Sequence, residues 1–396
     1  MALNTVEEIG RDPRIQAAIA IFNSDPESVI QTAVAIQQIP APTFHEAERA
    51  AYVRARFAEM DLAAISQDEL NNVYGMVPGS GEGKPIVVSA HLDTVFDHGT
   101  DLSTRVEKKG SSIRRIYGPG IADNSLGVAG LIVLASVFRD QALTPQSDVW
   151  LTANACEEGL GDLKGMKALV ERFGHEAVYI VIEGGSFGLV FHEAVGVNRF
   201  LIEVRTPGGH SWGDYGKPSA IHELSSLINR ITAIELPAKP KTTVNVGVIE
   251  GGTTINVIAS HAQCQLDLRS GSKKHLQTLT TEVRRLAEET SRLPNVQVSM
   301  RPIGRRPSGR ISPETEVVKN ALSALKHVGY SSPELVAGST DASVPLSLGI
   351  PSVCIGLAKS GNTHRTDEFV DITMLPQGLQ QLLLLVLTSA GLESAA

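Results

Sequence analysis

The sequence predicts an α/β domain with a largely parallel sheet, interrupted by an inserted α+β domain of ferredoxin-like order. Three observations predict it. The chain has 396 residues, which exceeds one ordinary domain and makes two the natural expectation. Short apolar runs alternate with helical patterns through the first half, and that rhythm breaks near Val197 and resumes after Pro307.

The first half reads PIVVSAHLDTV, then LGVAGLIVLASVF, DVWLTANA, a helix over Lys164 to Phe173, and AVYIVIEGG. Strands separated by helices imply parallel pairing with both sheet faces covered. From NRFLIEVRT the order becomes strand, helix (Pro218 to Glu235), strand (TTVNVGVIEG), strand (AQCQLDLRS), helix (Lys273 to Leu293) and strand (VQVSMRPI). That βαββαβ order is the ferredoxin-like split pattern. A helix around Glu314 to His327, the apolar strand SVCIGL and a C-terminal amphipathic helix then return the chain to the first domain. The expected domains are therefore 1–196 with 304–396, discontinuous, and 197–303, inserted.

Composition excludes several classes. Hydrophobic residues make up 42% and charged residues 20%, a globular balance and not a disordered one. A net charge of -8 leaves no basic surplus for nucleic acid or anionic lipid. The run Leu382 to Leu387 is far shorter than the roughly 20 residues of a membrane span and reads as core helix. The acidic, polar start MALNTVEEIGRD does not resemble a signal peptide, so a cytoplasmic location is expected. Cys156, Cys264 and Cys354 are odd in number and widely spaced, and read as buried reduced thiols. Cys156 adjoins two carboxylates that keep a thiol protonated, which disfavours a cysteine hydrolase.

Acids and imidazoles recur at the predicted strand ends, where loops over an open α/β sheet carry ligands. His91 and Asp93 close PIVVSAHLD, Asp123 sits in GPGIADNS, Glu157 and Glu158 end DVWLTANACEE, Glu183 ends YIVIEGG, and His364 follows SVCIGL. Singly, each has a structural reading: a surface pair, a helix cap or a solvated turn. Five such ends together are not expected of ordinary surface loops. His98, His175 and His192 lack this company and read as surface or satisfied core histidines. Gly118 and Gly120 hint at a dinucleotide loop, but Asp123 occupies the third glycine position and its carboxylate would repel a pyrophosphate.

The segments HLDTV, YGPGIADNSLG, ACEEG, IEGG, TPGGHSWG, GGTTINVI, LDLRS and NTHRTDE resemble successive motifs of the M20 metallopeptidase family, in order and across nearly the whole chain. The resemblance implies a zinc-peptidase-like catalytic domain with an inserted lid and dimerisation domain. It makes His91 and Glu183 ligands of one metal, Glu158 and His364 ligands in other positions, and Asp123 the bridge between two divalent ions. Zinc is the expected metal, with manganese or cobalt as alternatives. Asp93 would orient His91, and Glu157 would be the general base. The bond from Asp123 to Asn124 is expected to be cis. His210 would reach the substrate carbonyl, within its own subunit or across a homodimer, and Asn256 with Arg269 would hold a substrate carboxylate. The expected reaction is hydrolysis of an amide next to a free carboxylate, in a short peptide or, alternatively, in an N-acyl amino acid. A non-catalytic metal-binding scaffold is the remote alternative. Family carboxypeptidases that release glutamate add a lysine near the entry to the lid; this chain has none between Lys167 and Lys217, which weighs against a glutamate side-chain preference.

Overall fold

The computed structural model describes residues 2–81, 83–110 and 112–394. The chain forms two compact units, one made of the residues up to Ala194 with those from Gly309 onward, the other of Val195–Ser308. Each has its own apolar core. The expected insertion was 197–303; the second unit is wider because its first strand begins at Gly196 and its last continues to Arg306.

In the first unit, helices α1 (Val6–Gly10), α2 (Pro13–Ser24), α3 (Pro26–Gln37) and α4 (Ala47–Glu59) precede the sheet. Asp12 and Asp25 cap α2 and α3, each followed by a proline whose missing N–H costs a helix nothing at its first position. Strands β1 (Ala63–Gln67), β2 (Val73–Val77) and β3 (Ile86–His91) follow, then the hairpin β4 (Arg105–Lys109) and β5 (Ser112–Tyr117). Next come α5 (Leu126–Asp140), β6 (Val149–Asn154), α6 (Lys164–Phe173), β7 (Val178–Glu183) and β8 (Leu189–Ala194). The second unit holds β9 (Gly196–Arg205), α7 (Ala220–Thr232), β10 (Thr242–Gly251), β11 (His261–Ser270), α8 (Lys273–Ser291) and β12 (Gln297–Arg306). The chain returns through α9 (Glu316–His327), β13 (Glu334–Gly338), α10 (Ser343–Ser347), β14 (Ser352–Gly356), β15 (Lys359–Gly361), β16 (Phe369–Asp371) and α11 (Leu375–Ala390).

The main sheet runs β8-β14-β7-β3-β6-β2-β1, with the short strand Gly309–Arg310 and β13 both paired to β8. Its centre, β14-β7-β3-β6, is parallel, whereas β2 and β1 pair antiparallel at one edge. Every residue of β3 and of β14 is buried, as both faces of a covered parallel strand must be. Because β3, β6, β7 and β14 run the same way, the residues that follow them gather at one edge of the sheet. A second sheet, β15-β16-β5-β4, had no counterpart in the sequence reading, and it supports the His364 and Asp123 loops.

The inserted unit is built on a four-stranded antiparallel sheet of order β10-β11-β9-β12, the ferredoxin-like arrangement. Burial alternates residue by residue along β11, so one face packs under α7 and α8 and the other stays open. Among the described residues, two helical runs, 121–140 and 372–390, are long and apolar enough to cross a membrane, but 83% and 67% of those windows are buried inside the protein. Both are core helices.

Candidate metal centre

His91 is the last residue of β3, Glu183 the last of β7, and Glu157 and Glu158 follow β6 within four residues. Asp123 occupies the irregular turn Ile121–Ser125 between β5 and α5, and His364 the loop between β15 and β16. The fold brings these into two groups, His91 with Asp123 and Glu183, and Asp123 with Glu158 and His364; in each, the candidate ligand atoms lie within 4.8 Å of one another. Asp123 belongs to both. Its Oδ1 lies 3.0 Å from His91 Nε2 and its Oδ2 3.2 Å from His364 Nε2. Glu183 Oε2 is 3.8 Å from His91 Nε2, and Glu158 Oε1 is 2.9 Å from His364 Nε2. The peptide bond between Asp123 and Asn124 is cis.

The donor set suits two divalent cations. Each group offers one imidazole nitrogen and carboxylate oxygens, with one carboxylate shared. His91 Nδ1 lies 3.0 Å from the backbone oxygen of Asp93, an acceptor, so Nδ1 carries a proton and Nε2 is the nitrogen turned toward the carboxylates. The electrostatics point the same way. Burial pushes Glu158 up to about 7, reinforced by the charge of Asp123, and burial pushes Glu183 to about 7 as well. Burial also opposes the charge on Asp123, yet hydrogen bonds with His364 and His91 hold it below the usual carboxylate range. His364 is raised to about 10 by its contacts with Asp123 and Glu158. Converging buried carboxylates demand positive charge, which protonated imidazoles supply here and cations would supply better.

Asp93 organises the turn that presents both glutamates. Its Oδ1 accepts the N–H of Glu157 and its Oδ2 that of Glu158, each at 2.9 Å, and Oδ2 also accepts from the Thr43 hydroxyl at 2.8 Å. Glu157 is buried, and its charge acts on Glu158, Glu183 and Asp341. Several supporting groups lie outside the sequence-predicted set. Glu46 accepts the N–H of Phe44 at 3.0 Å and of Cys156 at 3.1 Å, two residues in left-handed conformation. Asp341, fully buried, accepts from Asn154 at 2.6 Å. Glu368 accepts the N–H of Ala122 at 2.8 Å, of Asp123 at 3.0 Å and of His364 at 3.3 Å. Burial and the charge of Asp123 push Glu368 up to about 7 against the pull of those donors. The sequence signal for Glu368 is its place at the end of NTHRTDE, four residues after the candidate ligand His364. The Cys156 thiol is pushed by burial up to about 12, which leaves it inert as a nucleophile.

The remaining predicted residues lie in the inserted unit. His210 ends the two-residue strand Gly209–His210, which pairs with Val257–Ile258; its Nδ1 accepts the N–H groups of Trp212 and Gly213. The N–H of Ser211 donates to the backbone oxygen of Asn256, so His210 and Asn256 are neighbours. Arg269 sits at the other end of β11, roughly 25 Å from His261 at about 3.3 Å per residue. Its guanidinium makes two parallel hydrogen bonds to Asp267, both 3.0 Å. His192 is buried, with Nδ1 3.0 Å from the Ile311 oxygen, and His98 packs edge-on against His45.

The model of peptidase family M20/M25/M40 matches residues 87–388. The chain is 26% identical over 339 residues to acetylornithine deacetylase of Myxococcus xanthus, covering 82% of this chain and 85% of that one. It is 24% identical over 318 residues to carboxypeptidase G2 of a Pseudomonas species, covering 78% and 74%. Among solved structures, a tripeptidase from Staphylococcus aureus superposes with a TM-score of 0.76 at 21% identity, over 91% of this chain and 98% of that one.

Proposed function

Since this chain belongs to peptidase family M20/M25/M40 and is an amide-bond hydrolase, we propose that it cleaves an amide next to a free carboxylate in short peptides, with two divalent ions, zinc foremost. The observation that carries this reading is the pair of imidazole and carboxylate groups that share the two oxygens of Asp123. His91, Asp123 and Glu183 would hold one ion, and Asp123, Glu158 and His364 the other. When bound, two such ions supply Lewis-acid charge that acidifies water and polarises the scissile carbonyl. Glu157, held by Asp93 through its backbone, takes the proton of the attacking water and delivers it to the leaving nitrogen. The water oxygen adds to the carbonyl carbon, and the C–N bond then breaks as its nitrogen takes the proton, giving an acid and an amine.

An N-acyl amino acid offers the same amide and carboxylate. Likeness to a deacetylase at 26% identity favours keeping deacylation as the second reading. A screen with added zinc, manganese or cobalt against dipeptides, tripeptides and N-acyl amino acids separates the two. Turnover of the N-acyl compounds alone would overturn the peptidase reading. Within the metal centre, Glu157→Gln should keep metal content and lose turnover by about 100-fold or more, while Glu158→Gln should lose metal. Equal metal loss in both would mean that the base and the ligand are misassigned.

His210, Asn256 and Arg269 are carried as substrate-recognising groups. Arg269 would exchange Asp267 for the substrate carboxylate, a swap between like partners that a guanidinium fork accommodates. Because Arg269 stands so far along β11 from the His210 and Asn256 turn, all three can meet one small substrate only if two copies of the inserted unit contribute. This supports a homodimer. Light scattering tests it, together with activity regained on mixing His210→Ala with Glu157→Gln protein. An active monomer would refute it.

A further inference from the structure

Glu368 is a fully buried carboxylate outside both ligand groups, yet its two oxygens touch the backbone of two of the three loops that carry a ligand of the second group, those of Asp123 and His364. Oε1 accepts from Ala122 and Asp123 at 2.8 and 3.0 Å; Oε2 accepts from His364 at 3.3 Å. Its main chain continues the linkage. The Glu368 oxygen accepts the N–H of Gly118 at 2.9 Å, and its N–H donates to the Arg365 oxygen at 3.0 Å. The residues so joined lie 245 and 246 positions apart on one side and four on the other. His364 needs such a tie. Its φ of 67° lies in the left-handed region, which a residue with a side chain adopts at some cost, and its imidazole is half exposed on an open loop.

We propose that Glu368 is the positioning residue that locks the Asp123 turn to the His364 loop, so that affinity for the ion held by Asp123, Glu158 and His364 depends on it. Two of that group's three ligands are fixed by Glu368, whereas the group of His91, Asp123 and Glu183 shares only Asp123. The inference rests on the two-metal reading. Its consequence is asymmetric: weakening Glu368 loosens one ion far more than the other.

Glu368→Gln exploits the two-sided contact. An amide has one accepting oxygen and one donating NH2. With its oxygen toward Ala122 and Asp123 the NH2 must face the N–H of His364, donor against donor; the flipped amide would oppose two donors instead of one. The variant therefore releases His364 and keeps the Asp123 turn. A buried group left facing the wrong partner carries a penalty large enough to be read as a change of about tenfold or more in affinity.

The test is cobalt(II) titration of metal-stripped wild type, Glu368→Gln and His364→Ala, followed by visible absorption and by counting bound ions. Wild type should take two ions per chain. Glu368→Gln should bind one with affinity within about threefold of wild type and the other at least about tenfold more weakly, and the ion it loses should carry the spectrum lost in His364→Ala. Adding Glu368→Gln to His364→Ala should then weaken the remaining ion by no more than about threefold. Two unchanged ions in Glu368→Gln, or two weakened alike, would overturn the inference while leaving the two-metal reading in place. Fewer than two ions in wild type would instead sink the two-metal reading, and this inference with it. Should Glu368→Gln not fold, Glu368→Asp, whose carboxylate falls one methylene short, must produce the same split.

Discussion

The side chain of Asn124 accepts the N–H of Gly184 at 2.9 Å while donating to the oxygen of Ile182 at 2.8 Å, so it grips β7 on either side of Glu183. The turn carrying Asp123 is thereby fastened to the strand end carrying another candidate ligand. Gly127 makes room for it, since a Cβ there would lie 2.0 Å from Asn124 Oδ1. Asn124→Ala leaves a buried N–H and a buried C=O without partners, and should lower stability by about 2 kcal/mol or more. Metal affinity should fall with it. An unchanged urea midpoint would show that the bracket contributes nothing.

Asp93→Asn tests the turn that presents Glu157 and Glu158. An asparagine can replace only one of the two oxygens that accept those N–H groups, and its NH2 would oppose the other. Groups that orient ligands in this way typically matter by about 10 to 100-fold in metal affinity or activity. Activity and metal content both within twofold of wild type would contradict this role.

Packing of α11 against the end of β14 depends on Gly378, where an added Cβ would sit 1.9 Å from the backbone oxygen of Leu357. Backbone cannot swing aside as a side chain can. Gly378→Ala should cost about 1 to 3 kcal/mol or prevent folding. Gly99→Ala, where nothing lies within 4 Å, should stay within about 0.5 kcal/mol. Denaturant unfolding of the pair checks the contrast.

Stability should depend on acid through Asp12, which caps α2 and takes a two-pronged contact from Arg14, with N···O distances of 3.0 and 2.8 Å. The Arg14 hydrogen bonds hold its carboxyl below the usual range, against the effect of burial. A depressed folded-state pKa stabilises the fold above the ordinary carboxylate value of about 3.9, and that contribution disappears as pH falls through the lower folded value. Asp12→Asn keeps a capping oxygen but loses the charge paired with Arg14, and should therefore cost about 1 kcal/mol at neutral pH. The gap to wild type should close in acid, as pH falls through the lowered folded-state value. A gap independent of pH would show that the charge of Asp12 plays no part.

The sequence alone determined the α/β character of the larger unit, the ferredoxin-like order of the inserted one and the residues at the strand ends. Those features are local: apolar runs bounded by turns, and the His and acids directly after them. The helix Lys164–Phe173 was legible to the residue because its apolar stripe ends at Gly174, which caps it. Only the tertiary structure decided which ends meet. β14 lies beside β7 although some 170 residues separate them, and β16 beside β5 across 250, so His364 arrives next to Asp123 by topology and not by spacing. The same holds for what supports the site. Glu368, Asn124 and Glu46 act on backbone N–H and C=O groups, which every residue possesses, so no residue type marks their partners in the sequence. Arg269 shows the converse. Its Asp267 partner is two residues away, and its place near the end of AQCQLDLRS was foreseeable too, but the pairing that sets Asn256 beside His210 follows only from the fold.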